Sequence, residues 1–152
     1  MLSPEATHAA SQLGRTVERA LIDSDLSAAG YRLLAYLSTG DAAAKVLATK
    51  LAVSRPVVTA TVDWLEPRGY VTRTPDPIDK RRVTISITAR GQEALAFADS
   101  LVASRLATVL DGVADEEFSR IQTSLELLHD ALNEYRARSR PDRSITDSES
   151  LG

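Results

Sequence analysis

The apolar positions of this chain change period twice. Leu13, Val17 and Leu21 stand four apart, and Tyr31, Leu34 and Leu37 mark one side of a second helical segment. Val46, Leu47 and Leu51 hold helical spacing in a third, and Val58, Val62 and Leu65 form the stripe of a fourth, leaving Arg55, Thr59 and Asp63 elsewhere on its surface. From Val83 to Thr88 the period drops to two, with Val83, Ile85 and Ile87 alternating against Thr84, Ser86 and Thr88, the pattern of a half-buried strand. Helical spacing then returns: Leu95, Val102, Leu106 and Val109 in one long segment, Phe118, Ile121, Leu125, Leu128 and Leu132 in the last. A mainly α chain with one small β element is predicted.

The residues between these stripes set the boundaries. Ser3-Pro4-Glu5 reads as a helix start and Ser27 as a cap. Ser54 is placed to accept a hydrogen bond from a free N–H of the next helix's first turn, where Pro56 is tolerated because its missing N–H would be unpaired there anyway. Pro67 and Gly69 stop that helix. A strand over 70–74 follows, then Pro75-Asp76-Pro77-Ile78-Asp79-Lys80-Arg81-Arg82, a turn-rich loop ending in three cations. Asp111-Gly112 ends the long helix, and Asp115-Glu116-Glu117 places anions in the first turn of the last one. Helix, tight turn, helix and basic-tipped hairpin therefore succeed one another through 47–91, the order of a winged helix-turn-helix.

Charge sharpens this picture. The formal net charge is -3, unpromising for a nucleic-acid binder. Between Asp41 and Gln92, however, nine cations face five anions, a local +4, and the rest of the chain carries -7. A basic reading lobe on an acidic scaffold has this distribution. With 43% hydrophobic and 26% charged residues the chain has the make-up of an ordinary globular domain, and no apolar run approaches a membrane span, so a cytoplasmic protein is expected. The absence of cysteine excludes disulfides, thiolate metal sites and thiol-based redox switching.

The run LATKLAVSRPVVTATVDWLEPRGYVTRTPDPIDKRRVTISITARG closely resembles the winged helix-turn-helix of the multiple antibiotic resistance regulator (MarR) family. It shares the leucine-glutamate-x-x-glycine helix exit and the aspartate-x-arginine wing, and the flanking helices extend the likeness from about Ala10 to Arg138. The resemblance implies a homodimeric, cytoplasmic repressor that binds double-stranded DNA at an inverted-repeat operator and is released by a small aromatic or anionic ligand. It implies one domain over 1–138, with the winged helix near 41–91 and dimerisation helices near 4–23 and 89–138; from 139 to 152 the residues have little to bury, and a mobile tail is expected. Two-fold symmetry would set the recognition helices about 34 Å apart, one turn of DNA.

Carried over residue by residue, the resemblance places Ser54, Arg55, Pro56, Val58 and Thr59 at the exposed start of the recognition helix. Arg55 suits a two-donor contact to guanine, or else a phosphate, and Thr59 a thymine methyl. In the wing, Arg81 corresponds to the arginine inserted into the minor groove, Asp79 to the carboxylate holding it, and Lys80 and Arg82 to phosphate contacts. Ala60 and Trp64 depart from the family, which commonly has basic or polar side chains there. Tyr31, Tyr36 and Trp64, with Phe97 and Arg15, are candidate ligand neighbours or simply core residues.

An enzyme is the first rival reading. The two histidines, His8 and His129, sit in no motif that pairs them with a nucleophile or carboxylate, so no catalytic residue is expected. No metal site and no cofactor are expected either, since two histidines without cysteine make a poor ligand set. The other rivals keep the fold: an architectural or low-specificity DNA-binding protein, or a winged-helix module for protein contact.

Overall fold

A computed structural model describes residues 1–138, so the expected tail at 139–152 lies outside the described residues. Two compact units make up the chain, one over Met1–Val113 and one beginning at Ala114. The first unit opens with helix α1, Pro4–Ala20, capped by the Ser3 hydroxyl and continued by a 3-10 turn, Leu21–Asp23. Helix α2, Ala28–Leu37, follows its Ser27 cap. Then come strand β1, Ala42–Ala43, and helices α3, Ala44–Leu51, and α4, Arg55–Leu65. Strands β2, Val71–Pro75, and β3, Val83–Ile87, lead into helix α5, Ala89–Val109. The second unit holds helix α6, Asp115–Arg138, with three acidic residues in its first turn.

The sheet has three antiparallel strands in the order β1-β3-β2, one more than the hairpin pattern announces. Two alanines give no periodic signal, yet Ala42 pairs with Ile85 and buries its methyl in the core. The core is built from the predicted stripes: Leu34 and Leu37 of α2, Leu47 of α3, Val58, Val62 and Leu65 of α4, Val71 and Ile85 of the sheet, and Leu95 of α5. Val46 is an exception. It is exposed, and Ala48 takes its place inside, because Leu47 sets the buried face one residue later.

The turn between α3 and α4 rests on Ala52, whose φ of 54° lies in the left-handed region. The Val53 N–H donates to Ala48 O at 3.0 Å, closing the helix with a six-residue ring that requires this conformation. A side chain there costs about 1–2 kcal/mol, and glycine recovers it at an entropic cost of about 0.5–1 kcal/mol. Ala52→Gly is therefore expected to raise the urea unfolding free energy by about 0.5 kcal/mol; a loss of stability would contradict the assignment of strain to this turn.

Candidate nucleic-acid interface

Helix α4 begins where the cap predicts. Ser54 is extended, with φ -72° and ψ 156°, and its Oγ accepts from Val57 N–H at 3.4 Å, with Pro56 in the first turn. Capping leaves the Ser54 hydroxyl proton able to donate outward. Ser54, Arg55, Pro56 and Thr59 are exposed on the first turns, and Arg55 has no ion-pair partner among the described residues.

Val58 does not belong with them. It is 1% exposed, packed in the core, so its side chain cannot reach a groove. Its neighbour Val57 is 42% exposed and supplies the outward apolar side chain of this turn. Successive helical residues point about 100° apart, so Val58, in register with Val62 and Leu65, must face inward while Val57 turns away. The alternating stripe already contained this signal.

The loop between β2 and β3 is tied by its aspartates. Asp76 Oδ1 accepts the N–H groups of Ile78 at 2.8 Å and Asp79 at 2.9 Å. Those bonds, that of Asp79 first and that of Ile78 second, hold the Asp76 carboxyl below its usual range. Asp76 N–H donates to Arg82 O at 2.8 Å, and Arg82 N–H to Asp79 O at 2.9 Å. Asp79 supports Arg81 differently from expectation: its Oδ1 accepts the Arg81 backbone N–H at 3.1 Å, while its Oδ2 lies 3.8 Å from Arg82 Nε. The carboxylate thus shapes the turn under Arg81 and pairs loosely with Arg82. Lys80 and Arg81 are exposed and carry no ion pair among the described residues.

One functional element escaped the sequence. Arg73 of β2 bonds Asp63 Oδ1 at 2.5 Å through Nη2 and Glu66 through Nη1, both carboxylates belonging to the end of α4. These bonds, that to Asp63 above all, raise the guanidinium's already high pKa further, and the pairing couples the wing's first strand to helix α4. Asp63 and Glu66, three apart on one helix face, were the available hint; that Arg73 would meet them depended on the fold. The +4 of this region is correspondingly concentrated on the cations that remain unpaired.

The candidate ligand residues do not line the hollow found beside the start of α2. That hollow, about 330 Å³, is lined by Glu18, Leu21, Ile22, Ser24, Asp25, Leu26, Ser27 and Ala28. Tyr31 is half-buried on α2 and donates to Asp99 of α5 at 2.6 Å; burial and that carboxylate push its phenol well above the usual range. Tyr36 is half-buried against the core. Trp64 packs on the core with the Arg68 guanidinium 3.5 Å over its ring. Among the described residues no group of histidines and carboxylates is placed to hold a metal, and no helix is long and apolar enough to cross a membrane.

A helix-turn-helix whose second helix is exposed at its start, followed by a two-stranded basic wing, defines a winged-helix protein. Residues 24–82 match the model of the MarR family. Solved structures share the fold: the wild-type, ligand-free MarR from E. coli (22% identity, TM-score 0.73) covers 84% of this chain and 96% of its own. The transcriptional regulator BldR from Sulfolobus solfataricus (26% identity, TM-score 0.65) covers 85% and 89%. CouR from Rhodococcus jostii RHA1 bound to p-coumaroyl-CoA (20% identity, TM-score 0.62) covers 81% and 87%. The chain is thus similar to the MarR family over residues 24–82, and it shares its fold with these regulators along most of its length.

Proposed function

We propose that this protein is a homodimeric repressor that binds inverted-repeat DNA through α4 and the wing and is released by a small ligand. The observation that carries the reading is the pairing of an exposed helix start, Ser54 to Thr59, with unpaired Lys80 and Arg81 on a turn fixed by its own backbone bonds. Arg55 reads a base edge in the major groove, Val57 and Thr59 meet thymine methyls, and Ser54 and the Pro56 turn approach the backbone. Arg81 enters the minor groove, with Lys80 and Arg82 on phosphates.

Two copies are required for two half-sites. Helix α6 buries none of its residues, and Phe118, Leu125, Leu128 and Leu132 leave an apolar stripe exposed along it. An unburied stripe of this length suits a partner helix, and we assign the two-fold contact to the terminal helices, with 1–138 working as one regulatory unit. A ligand of the aromatic, anionic kind that CouR holds is the candidate releasing signal, with Tyr31, Tyr36 and Trp64 as candidate contacts.

Gel-shift selection from a randomised duplex pool at two salt concentrations tests the reading. Recovery of an inverted repeat with half-sites about one turn apart is expected. Binding without enrichment, steeply lost with salt, would instead indicate architectural binding. Arg81→Ala is expected to weaken binding to all duplexes about tenfold while sedimentation still shows a dimer. Unchanged affinity at moderate salt would remove Arg81 from the interface.

A further inference from the structure

Ile78 stands at the tip of the wing and is 98% exposed, in a turn whose next four residues are Asp79, Lys80, Arg81 and Arg82. Nothing in its own unit covers it, and the loop does not leave it loose. Its N–H is held by Asp76 Oδ1, and the bonds from Asp76 to Arg82 O and from Arg82 to Asp79 O close the turn on both sides. Pro75 and Pro77 restrict the backbone on the approach. The turn therefore presents an apolar side chain at little further ordering cost, three residues from a free arginine.

The cations beside it specify what covers it. Lys80 and Arg81 attract a polyanion, and an apolar side chain held beside them is matched by a polyanion that offers an apolar face. The minor groove of DNA does, in its deoxyribose walls and in an A·T floor that lacks a projecting donor. Apolar side chains serve as minor-groove contacts in other DNA-binding architectures.

We propose that Ile78 is a specificity-determining residue that packs into the minor groove beside Arg81 and selects A·T over G·C pairs under the wing. The inference rests on the DNA-binding reading above and deepens it. The physical basis is the guanine 2-amino group. In the minor groove a G·C pair differs from A·T by that donor, and an isoleucine pressed against it displaces its water and returns no acceptor. Arg81 supplies attraction that salt weakens; Ile78 supplies discrimination that salt leaves alone.

Inosine separates these effects, because an I·C pair keeps the major-groove acceptors of G·C and lacks the 2-amino group. The inverted-repeat duplex recovered by selection is rebuilt with single A·T, I·C or G·C pairs stepped through each flank, and binding is titrated with the wild type and Ile78→Ser. For the wild type, G·C at the wing position is expected to weaken binding about tenfold and I·C to restore it. In Ile78→Ser, whose hydroxyl accepts from guanine, the ratio is expected to fall to within about twofold of unity with the salt slope unchanged. A G·C penalty that persists in Ile78→Ser assigns the selectivity to Arg81 and overturns the proposal. A wild type that binds tightly with no G·C penalty in either flank also overturns it and leaves the DNA-binding reading standing. A wild type that binds no duplex overturns that reading, and this inference with it.

Discussion

Gly91→Ala is expected to cost about 3 kcal/mol of stability or more, lowering the thermal midpoint by about 10 °C. A Cβ on Gly91 would lie 2.1 Å from Tyr70 O and 2.8 Å from Ile87 Cγ1, and neither neighbour is free to retreat. Tyr70 O accepts the Thr88 N–H at 3.0 Å. The Thr88 hydroxyl accepts from Gly91 N–H at 3.0 Å and donates to Gly69 O at 2.5 Å. The start of α5 is thereby bolted to the point where the chain leaves α4 and enters the wing. Tyr70 is itself buried and donates to Asp25 Oδ2 at 2.5 Å, and this bond, with burial second, raises its phenol pKa. Making room for one methyl means moving backbone that several bonds hold. Gly14 in α1 is the control, since a Cβ there meets nothing within 4 Å. Gly14→Ala is expected to be neutral or to gain up to about 1 kcal/mol. Denaturation of Gly91→Ala within about 0.5 kcal/mol of the wild type would show that α5 does not need this approach.

Arg55→Ala is expected to reduce affinity for the selected operator about 10- to 100-fold and affinity for random duplex about threefold or less. The contrast follows from what each cation touches. A guanidinium that donates twice to guanine contributes only where guanine stands at that step, whereas a phosphate contact contributes on any sequence. Arg55 is exposed in the first turn of α4, on a backbone fixed by the Ser54 cap, and no carboxylate among the described residues competes for it. Equal losses on operator and random DNA would reassign Arg55 to the backbone. The same pair of titrations on Arg81→Ala, where a uniform loss is expected, makes the comparison internal to one protein.

Much of the fold was legible because its determinants are local. A cap depends on a side chain and N–H groups three residues away, so Ser3, Ser27 and Ser54 announced α1, α2 and α4, and each hydroxyl accepts the bond expected of it. A stripe depends on spacing alone, so Leu34, Leu37, Val62 and Leu65 could be placed in the core before their neighbours were known. The candidate interface was less legible. Val58 was assigned to both the stripe and the exposed face, and only one assignment fits a helix. β1 went unseen because two alanines carry no period, and its existence depends on the partner strand.

By itself, then, the sequence determined the order of elements, helix α4 and its start, the basic wing and the segregation of charge, all properties of residues close together along the chain. Tertiary structure alone decided what distant residues do to one another. It turned Arg73, ten residues from Asp63, into the tie between β2 and α4. It set Asp79 beneath the Arg81 backbone instead of beside its guanidinium. It also brought Gly91 against Tyr70, twenty-one positions away in sequence, where side-chain type says nothing of contact until the chain has closed. The physical reason is range: hydrogen-bonded caps and helical periods act over a turn or two, whereas ion pairs and close backbone approaches need geometry that many weak contacts fix together.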